Sequence, residues 1–392
     1  MRFRRCSHLM VELDQTPRFS LESLFQGGDG LDRSARWMAH APHLPDSVPV
    51  QWQDLAVLQS LPDGQWLERD AVAQHAEAID RLLASGLLIT DESAQDGVRR
   101  RDDNAREIAW WTPALVAQAH GTWEAVDIED RNNKGLMLSS EQMVEAFGAA
   151  PEPDFRRAPD GPVQALATPT RTGFDELLAA RRTCRNFDPA ATLDARSFAT
   201  MMRRVWGALG TKTLAPGAVA VKKTSPAGGG LHAVEAYVLV QRVEGVAPGF
   251  YHYLSMQHAL EPLQALSTEE AAAWAHRFVA GQDWFHDVPV MVVMVARFDR
   301  LFWKYRRHTK AWRVVHLDVG HLSQTMYLSA TELGLGCFVT AAINDRDVEQ
   351  ALDLPPLREG AIALVGFGPR AMEMKTLELD VFDPVTPGEA VA

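Results

Sequence analysis

The chain has 392 residues, 46% of them apolar and 23% charged, with a formal net charge of −12. This length exceeds one ordinary core, so two domains, or one domain with a large appendage, are expected, and the composition excludes a disordered or fibrous chain. The acidic balance argues against nucleic acid as a partner.

Cys6, Cys184 and Cys337 are too few and too scattered for a disulfide framework or a zinc site, which suits a reducing cytoplasm. Met1-Arg2-Phe3-Arg4-Arg5 is basic, but Glu12 and Asp14 interrupt the residues that follow, so no signal peptide is expected. The longest apolar run, Val288 to Ala296, is too short to span a bilayer, and no membrane partner is expected.

In chain order, residues 1 to 50 alternate weakly, with a strand at His8 to Leu13 and a turn at Gly27-Gly28-Asp29-Gly30. Leu55, Leu58 and Leu61 share a helical face, and Pro62-Asp63-Gly64 makes a turn. A second helix over Glu68 to Ala84 carries Ile79, Leu82 and Leu83, and Leu87-Leu88-Ile89-Thr90 reads as a strand. Helix, turn, helix and strand form the pattern of a winged helix. Glu68, Asp70, Glu77 and Asp80 against Arg69 and Arg81 make its second helix a poor DNA reader, so a peptide-binding or structural module is expected.

Arg99-Arg100-Arg101-Asp102-Asp103-Asn104 reads as a solvated loop. Residues 106 to 148 are helical, with Trp110, Trp111 and Trp123 as core or interface bulk. Prolines at 151, 153, 159, 162 and 169 mark a linker. The division predicted is 1–150 as an N-terminal domain, 151–172 as linker and 173–392 as a second domain.

In the second part an amphipathic run from Phe174 ends at Arg181-Arg182-Thr183-Cys184-Arg185-Asn186-Phe187. Three guanidinium groups in five residues suit either a solvated patch at a helix C-terminus or a phosphate clamp. Ser197 to Leu209 is a helix, and Gly228-Gly229-Gly230 precedes a buried strand at Val234 to Val240. The glycines suit an ordinary turn or close approach to a flat or charged ligand. Further elements are a strand at Gly249 to Tyr253, a helix at Ala271 to Ala280, a buried strand at Val290 to Phe298 and a helix at Val314 to Leu333, buried nearly all round. Gly334 ends that helix. Strands at Phe338 to Ile343 and Ala361 to Phe367 flank a short helix at Asp345 to Leu352. The order indicates an α+β fold built on a mixed sheet with a long central helix.

Several of these motifs together carry a resemblance. Arg181-Arg182-Thr183-x-Arg185-x-Phe187 after a helix resembles the opening signature of the nitroreductase-like flavoenzymes, which bind FMN. Ser225-Pro226-Ala227-Gly228-Gly229-Gly230-Leu231-His232 is similar to their second flavin segment, and Gly334-Leu335-Gly336 and Gly366-Phe367-Gly368-Pro369-Arg370 agree in order and spacing. The likeness covers about 172 to 375. Lys304-Tyr305-Arg306-Arg307 followed by Asp318-Val319-Gly320-His321 resembles the branch that matures ribosomally made peptides by oxidising azolines to azoles; ordinary nitroreductases lack the Lys-Tyr pair.

The resemblance implies an FMN site in which Arg181, Arg182, Thr183 and Arg185 hold phosphate and ribityl or ring oxygens. Ser225, Gly228, Gly229 and Gly230 approach the flavin, Gly336, Cys337 and Thr340 line its far side, and Arg370 is a last phosphate ligand. Ala227 and Ala233 depart from the family's usual serine and proline. Lys304 is the implied general base with Tyr305 assisting, made basic near neutrality by burial or by Arg306 and Arg307. The implied partners are a precursor peptide, a cyclodehydratase complex and a second copy of the chain. Open alternatives are an NAD(P)H-dependent nitro or quinone reductase, an oxidase of another peptide side chain, and a leader-peptide-binding module with a structural flavin domain.

Overall fold

The computed structural model describes residues 1–69, 75–134, 138–152, 156–157, 161–167 and 170–378. The first 90 residues fold as β1 (Arg2–Arg5), β2 (Met10–Asp14), β3 (Arg18–Phe19), α1 (Leu21–Phe25), β4 (Leu31–Asp32), β5 (Arg36–His40), β6 (Val48–Val50), α2 (Trp52–Ser60), β7 (Leu67–Glu68), α3 (Ala76–Ala84) and β8 (Leu88–Thr90). β1 is the centre of a sheet, paired antiparallel with β7 and β8, and α2 and α3 share a core with it around Phe3, Val57, Ile79, Leu82 and Leu88. The predicted second helix begins later than Glu68, because Leu67 and Glu68 are drawn into the sheet opposite Phe3 and Arg2. Asp70 lies outside the described residues. The N-terminal part is also less helical than the winged-helix pattern predicts: β2, β5 and β6 form a second antiparallel sheet.

The run Arg99–Asn104, predicted as a solvated loop, belongs to the helix α4 (Asp96–Glu107), and its Asp102 is fully buried. The Asp102 carboxylate accepts from Arg4 Nη2 at 2.9 Å and from the Ser7 N–H at 2.6 Å. A helix anchored by a paired buried charge shows no apolar stripe, so periodicity does not reveal it. After α4 come α5 (Thr112–His120), α6 (Ile128–Asn133) and α7 (Ser140–Phe147). Trp110, just before α5, packs on Phe298 and Phe302 with ring centroids 4.5 and 4.4 Å away, and its Nε1–H donates to Leu357 O at 3.2 Å. Ala105, Trp110 and Leu115 thereby join the core of the second half. α4 therefore ties to both parts, through Asp102 to β1 and through Ala105 to the core of the second half, while composition places the break at 151–172. Of that linker, residues 153–155, 158–160 and 168–169 lie outside the described residues.

The second half contains α8 (Gly173–Ala180), α9 (Ala195–Val205), the hairpin β9 (Gly210–Ala215) and β10 (Ala218–Lys222), then β11 (Val234–Val240), β12 (Gly249–Leu254), β13 (Ala259–Ala265), α10 (Thr268–Phe278), β14 (Val290–Arg297), α11 (Phe298–Lys304), α12 (Ala311–Glu332), β15 (Gly336–Thr340), α13 (Asp345–Ala351) and β16 (Glu359–Gly368). The central sheet runs β13-β12-β11-β14-β16-β15. Within this α+β fold every ladder of that sheet is antiparallel, where a mixed sheet is predicted. The reason lies in the crossover. The helices between β14 and β15 return the chain in the same direction, as in a parallel unit, but β16 inserts between the two strands and opposes both.

All of β14 except Arg297 is buried, because helices cover both sheet faces. α12 packs on one face through Val315, Val319, Leu322, Met326 and Ala330. Its opposite side, with Arg313, Leu317, Gly320, His321 and Gln324, is exposed in the single chain, so the all-round burial predicted for it is not met within one copy. No helix among the described residues is long and apolar enough to cross a membrane.

Candidate active site

Two clusters form along α12. The first gathers around the glycine loop. α11 is rooted in the core by Phe298, Leu301 and Phe302, which brings its last residue, Lys304, over the loop. Lys304 Nζ donates to Gly229 O at 3.0 Å. Gly229 has φ +60°, and a Cβ there would lie 2.5 Å from Lys304 Nζ and 2.6 Å from Tyr305 Oη. On the other side of the loop a Cβ on Gly228 would overlap Val314 of α12, and the Gly228 N–H donates to Asp318 Oδ1 at 2.9 Å. Only glycine fits between the two helices at these positions. Asp318 is buried, and desolvation raises its pKa against the opposing Gly228 hydrogen bond. Ser225 Oγ stands 2.7 Å from Thr325 Oγ1, which ties the start of the loop to α12 as well.

The second cluster surrounds Tyr327, toward the C-terminal end of α12. α8 stops at Arg181, which turns extended (φ −61°, ψ 127°), and the arginine run then crosses the helix. The Arg181 guanidinium lies 5.2 Å from the Tyr327 ring centre. Thr183 Oγ1 is 3.0 Å from Tyr327 Oη, which also accepts the Val339 N–H at 3.2 Å. Burial raises the pKa of the Tyr327 phenol, keeping it protonated. The Cys184 N–H donates to Cys337 O at 2.8 Å, and burial pushes the two thiols up to about 11 and about 12. Gly336 gives room beside them, since a Cβ there would lie 2.6 Å from Cys184 Sγ and 2.9 Å from Arg370 Cγ. Arg182 and Arg185 are half-buried.

The residues predicted for the site therefore divide. Lys304, Tyr305, Ser225, Gly228, Gly229 and Gly230 come together. Arg181, Thr183, Gly336, Cys337 and Arg370 form the other group. Four details differ from the sequence reading. Lys304 is exposed in the single chain, so this copy does not supply the burial invoked for it. Arg370 is paired with Glu378. Cys337 is a core thiol. Thr340 Oγ1 accepts the Ala342 N–H at 3.1 Å and stands 3.4 Å from Gln282 Nε2, turned into the interior. Sequence reading missed Tyr327 and Glu378 altogether. A tyrosine inside a helical stripe and an acid near the chain end carry no local signal. Asp318 sat in a quoted motif but without a role.

The residues present fit a phosphorylated, flat cofactor. Half-buried arginines suit phosphate oxygens. A Cβ at Gly230 or Gly320 would meet nothing within 4 Å, so the backbone there is open to close approach.

Residues 178–369 match the family described as "Nitroreductase family". The chain contains a nitroreductase-family domain. Among curated proteins it is similar to "Trifolitoxin-processing protein TfxB" of Rhizobium leguminosarum bv. trifolii, 30% identical over 36% of this chain and 38% of that protein. It is also similar to "Microcin B17-processing protein McbC" of Escherichia coli, 26% identical over 38% of this chain and 54% of that protein. The matched stretch thus spans from about a third to about half of the length of these relatives. Among solved structures, the E. coli microcin synthetase McbBCD complex with truncated pro-MccB17 bound is aligned at 20% identity and a TM-score of 0.46, over 64% of this chain and 89% of that one.

Except for Arg370, one residue past its end, both clusters fall inside the segment that matches the nitroreductase family. Residues 1–177 lie outside it, although Trp110 packs into the nitroreductase-family core.

Proposed function

We propose that the chain is an FMN-dependent dehydrogenase that acts in maturation of a ribosomally made precursor peptide, oxidising azolines to azoles. One observation carries the reading: Lys304 and Tyr305 meet the glycine loop, with Lys304 Nζ 3.0 Å from Gly229 O. That joins the pair expected only of peptide-maturing members to a segment expected at the flavin. The two relatives named as peptide-processing proteins support the same branch.

Arg181, Arg182, Thr183 and Arg185 would hold the phosphate and polar oxygens of FMN, and Gly228 to Gly230 would lie against it. FMN, when bound, accepts a hydride. The ring carbon beside that hydride also loses a proton, and Lys304, with Tyr305 next to it, is the base within reach of the loop. Loss of one proton and one hydride converts an azoline to an aromatic azole. Asp318 and Tyr327 are nine residues apart on α12, about 14 Å along its axis. This spacing, and the exposed side of α12, support a homodimer in which a second copy completes each site and covers Lys304. A cyclodehydratase complex would supply the azoline.

The test is direct. The purified protein should show flavin absorbance, and incubation with an azoline-bearing peptide should remove two hydrogens per ring by mass spectrometry. A colourless protein, or one that oxidises NAD(P)H steadily with quinones and leaves the peptide unchanged, would replace this reading.

A further inference from the structure

The stretch Lys375–Glu378 is stitched onto the end of the arginine run. Asn186 Oδ1 accepts the N–H groups of Lys375 at 2.7 Å and Thr376 at 2.8 Å, and Asn186 Nδ2 donates to Thr376 O at 2.7 Å and to Glu378 Oε1 at 2.8 Å. The same Glu378 oxygen accepts the N–H groups of Arg185 at 2.6 Å and Asn186 at 3.0 Å. Its other oxygen pairs with the Arg370 guanidinium. Two consecutive main-chain N–H groups converging on one carboxylate oxygen make an anion nest, and such a nest fixes the backbone torsions of the residues that form it.

Glu378 is only 3% exposed. An acid that deep is costly to bury unless its oxygens are filled, and here each oxygen has donors. Burial pushes its carboxyl up, but the Arg185 N–H, the Asn186 amide and Arg370 together hold it below its ordinary value. It is a permanent carboxylate at neutral pH. The extended segment it grips is the one that presents Arg181, Arg182 and Thr183, and Phe187 at its end forms an isolated β-bridge with Arg370. The carboxylate thus touches both the end of the arginine run and the arginine that follows β16.

We propose that Glu378 is a positioning residue of the phosphate clamp: it sets the backbone at Arg185–Asn186 and the guanidinium of Arg370, and so the placement of the cationic groups that meet a cofactor phosphate. The inference rests on the FMN reading above. It makes the segment 375–378 part of the cofactor site without any contact to the flavin ring.

FMN and riboflavin differ only in the phosphate, so their affinities for wild type, Glu378→Ala and Glu378→Gln, read by flavin fluorescence, separate this role from a general loss of structure. Glu378→Ala should weaken FMN about tenfold, as expected when a charge-assisted contact set is lost, and riboflavin by less than about threefold. Glu378→Gln keeps an oxygen for the two N–H groups but loses the negative charge that holds the Arg370 guanidinium in place, and should weaken FMN about threefold with riboflavin unchanged. If the alanine variant does not fold, the glutamine variant decides alone. Equal weakening of both flavins, or unchanged FMN affinity in folded variants, overturns the proposal. A wild-type chain that takes up neither flavin overturns the FMN reading, and the inference with it; a wild type that binds FMN with variants that lack phosphate selectivity overturns the inference alone.

Discussion

Lys304 Nζ donates to the carbonyl oxygen of Gly229 at 3.0 Å, joining residues 75 positions apart in the sequence. The contact puts an amine at a loop whose backbone, at Gly230, is open to a ligand. In Lys304→Ala the loop keeps its hold on α12 through Gly228 and Asp318, so the variant should purify with flavin as the wild type does. Peptide oxidation should fall about a hundredfold or more, the range for removal of a positioned base. Single-turnover reduction of bound flavin by peptide is the measurement, and an unimpaired rate would remove Lys304 from the mechanism.

Gly229 and Gly230 both have positive φ, yet their surroundings differ. A Cβ at Gly229 collides with Lys304 and Tyr305, whereas one at Gly230 meets nothing within 4 Å. Alanine at either position should cost about 1–2 kcal/mol of backbone strain. Gly229→Ala should also displace the pair and cut turnover about a hundredfold. Gly230→Ala leaves Lys304 and Tyr305 in place and puts its methyl group on the face open to FMN, so its loss of turnover should follow a loss of bound flavin. Thermal unfolding and turnover of the two variants, measured side by side, check the contrast.

Trp110 is almost fully buried between aromatic rings of α11. Trp110→Ala should destabilise the chain by about 3–5 kcal/mol. Urea unfolding reads this, and a loss below about 1 kcal/mol would mean that the helices before residue 120 are not anchored on α11.

Asp345 and Glu349 of α13 are raised by burial, from ordinary values of 3.8 and 4.5 to about 6 and about 7, and the Asp345 charge adds to the shift of Glu349. Between about pH 4 and pH 7 the unfolded chain has released these protons while the fold still holds them. Their contribution to stability therefore declines as pH rises through that window and is flat above it. Glu349→Gln should reduce the decline and raise the melting temperature at pH 8 relative to wild type. Melting curves from pH 5 to pH 8 for both proteins test the sign.

Much of the second half was legible because its signals are local. The apolar run of β11 and β14, the glycine after α12 and the stop of α8 before the arginines each follow from a few neighbouring residues. What was not legible depends on distant partners. Asp102 reads as solvent-facing until Arg4 arrives from the first strand, and the attachment of the chain before α5 to the second half depends on Trp110 finding Phe298 and Phe302. The antiparallel central sheet depends on where β16 inserts, which no spacing encodes. At the site, the arginine run and the Lys-Tyr pair were readable as motifs. The split into two clusters, the exposure of Lys304 and the claim of Glu378 on Arg370 follow only from the chain in three dimensions.

The seating of Trp110 also bears on how the gene can be cut. A fragment begun at the proline-rich segment would have the nitroreductase-family sequence nearly whole, yet it would lack the indole that fills the slot between Phe298 and Phe302. That slot would open as a greasy groove at the root of α11, inviting self-association and leaving the end that bears Lys304 loosely hinged. A viable truncation keeps α4 and α5, and with them β1, whose Arg4 pairs with the buried Asp102.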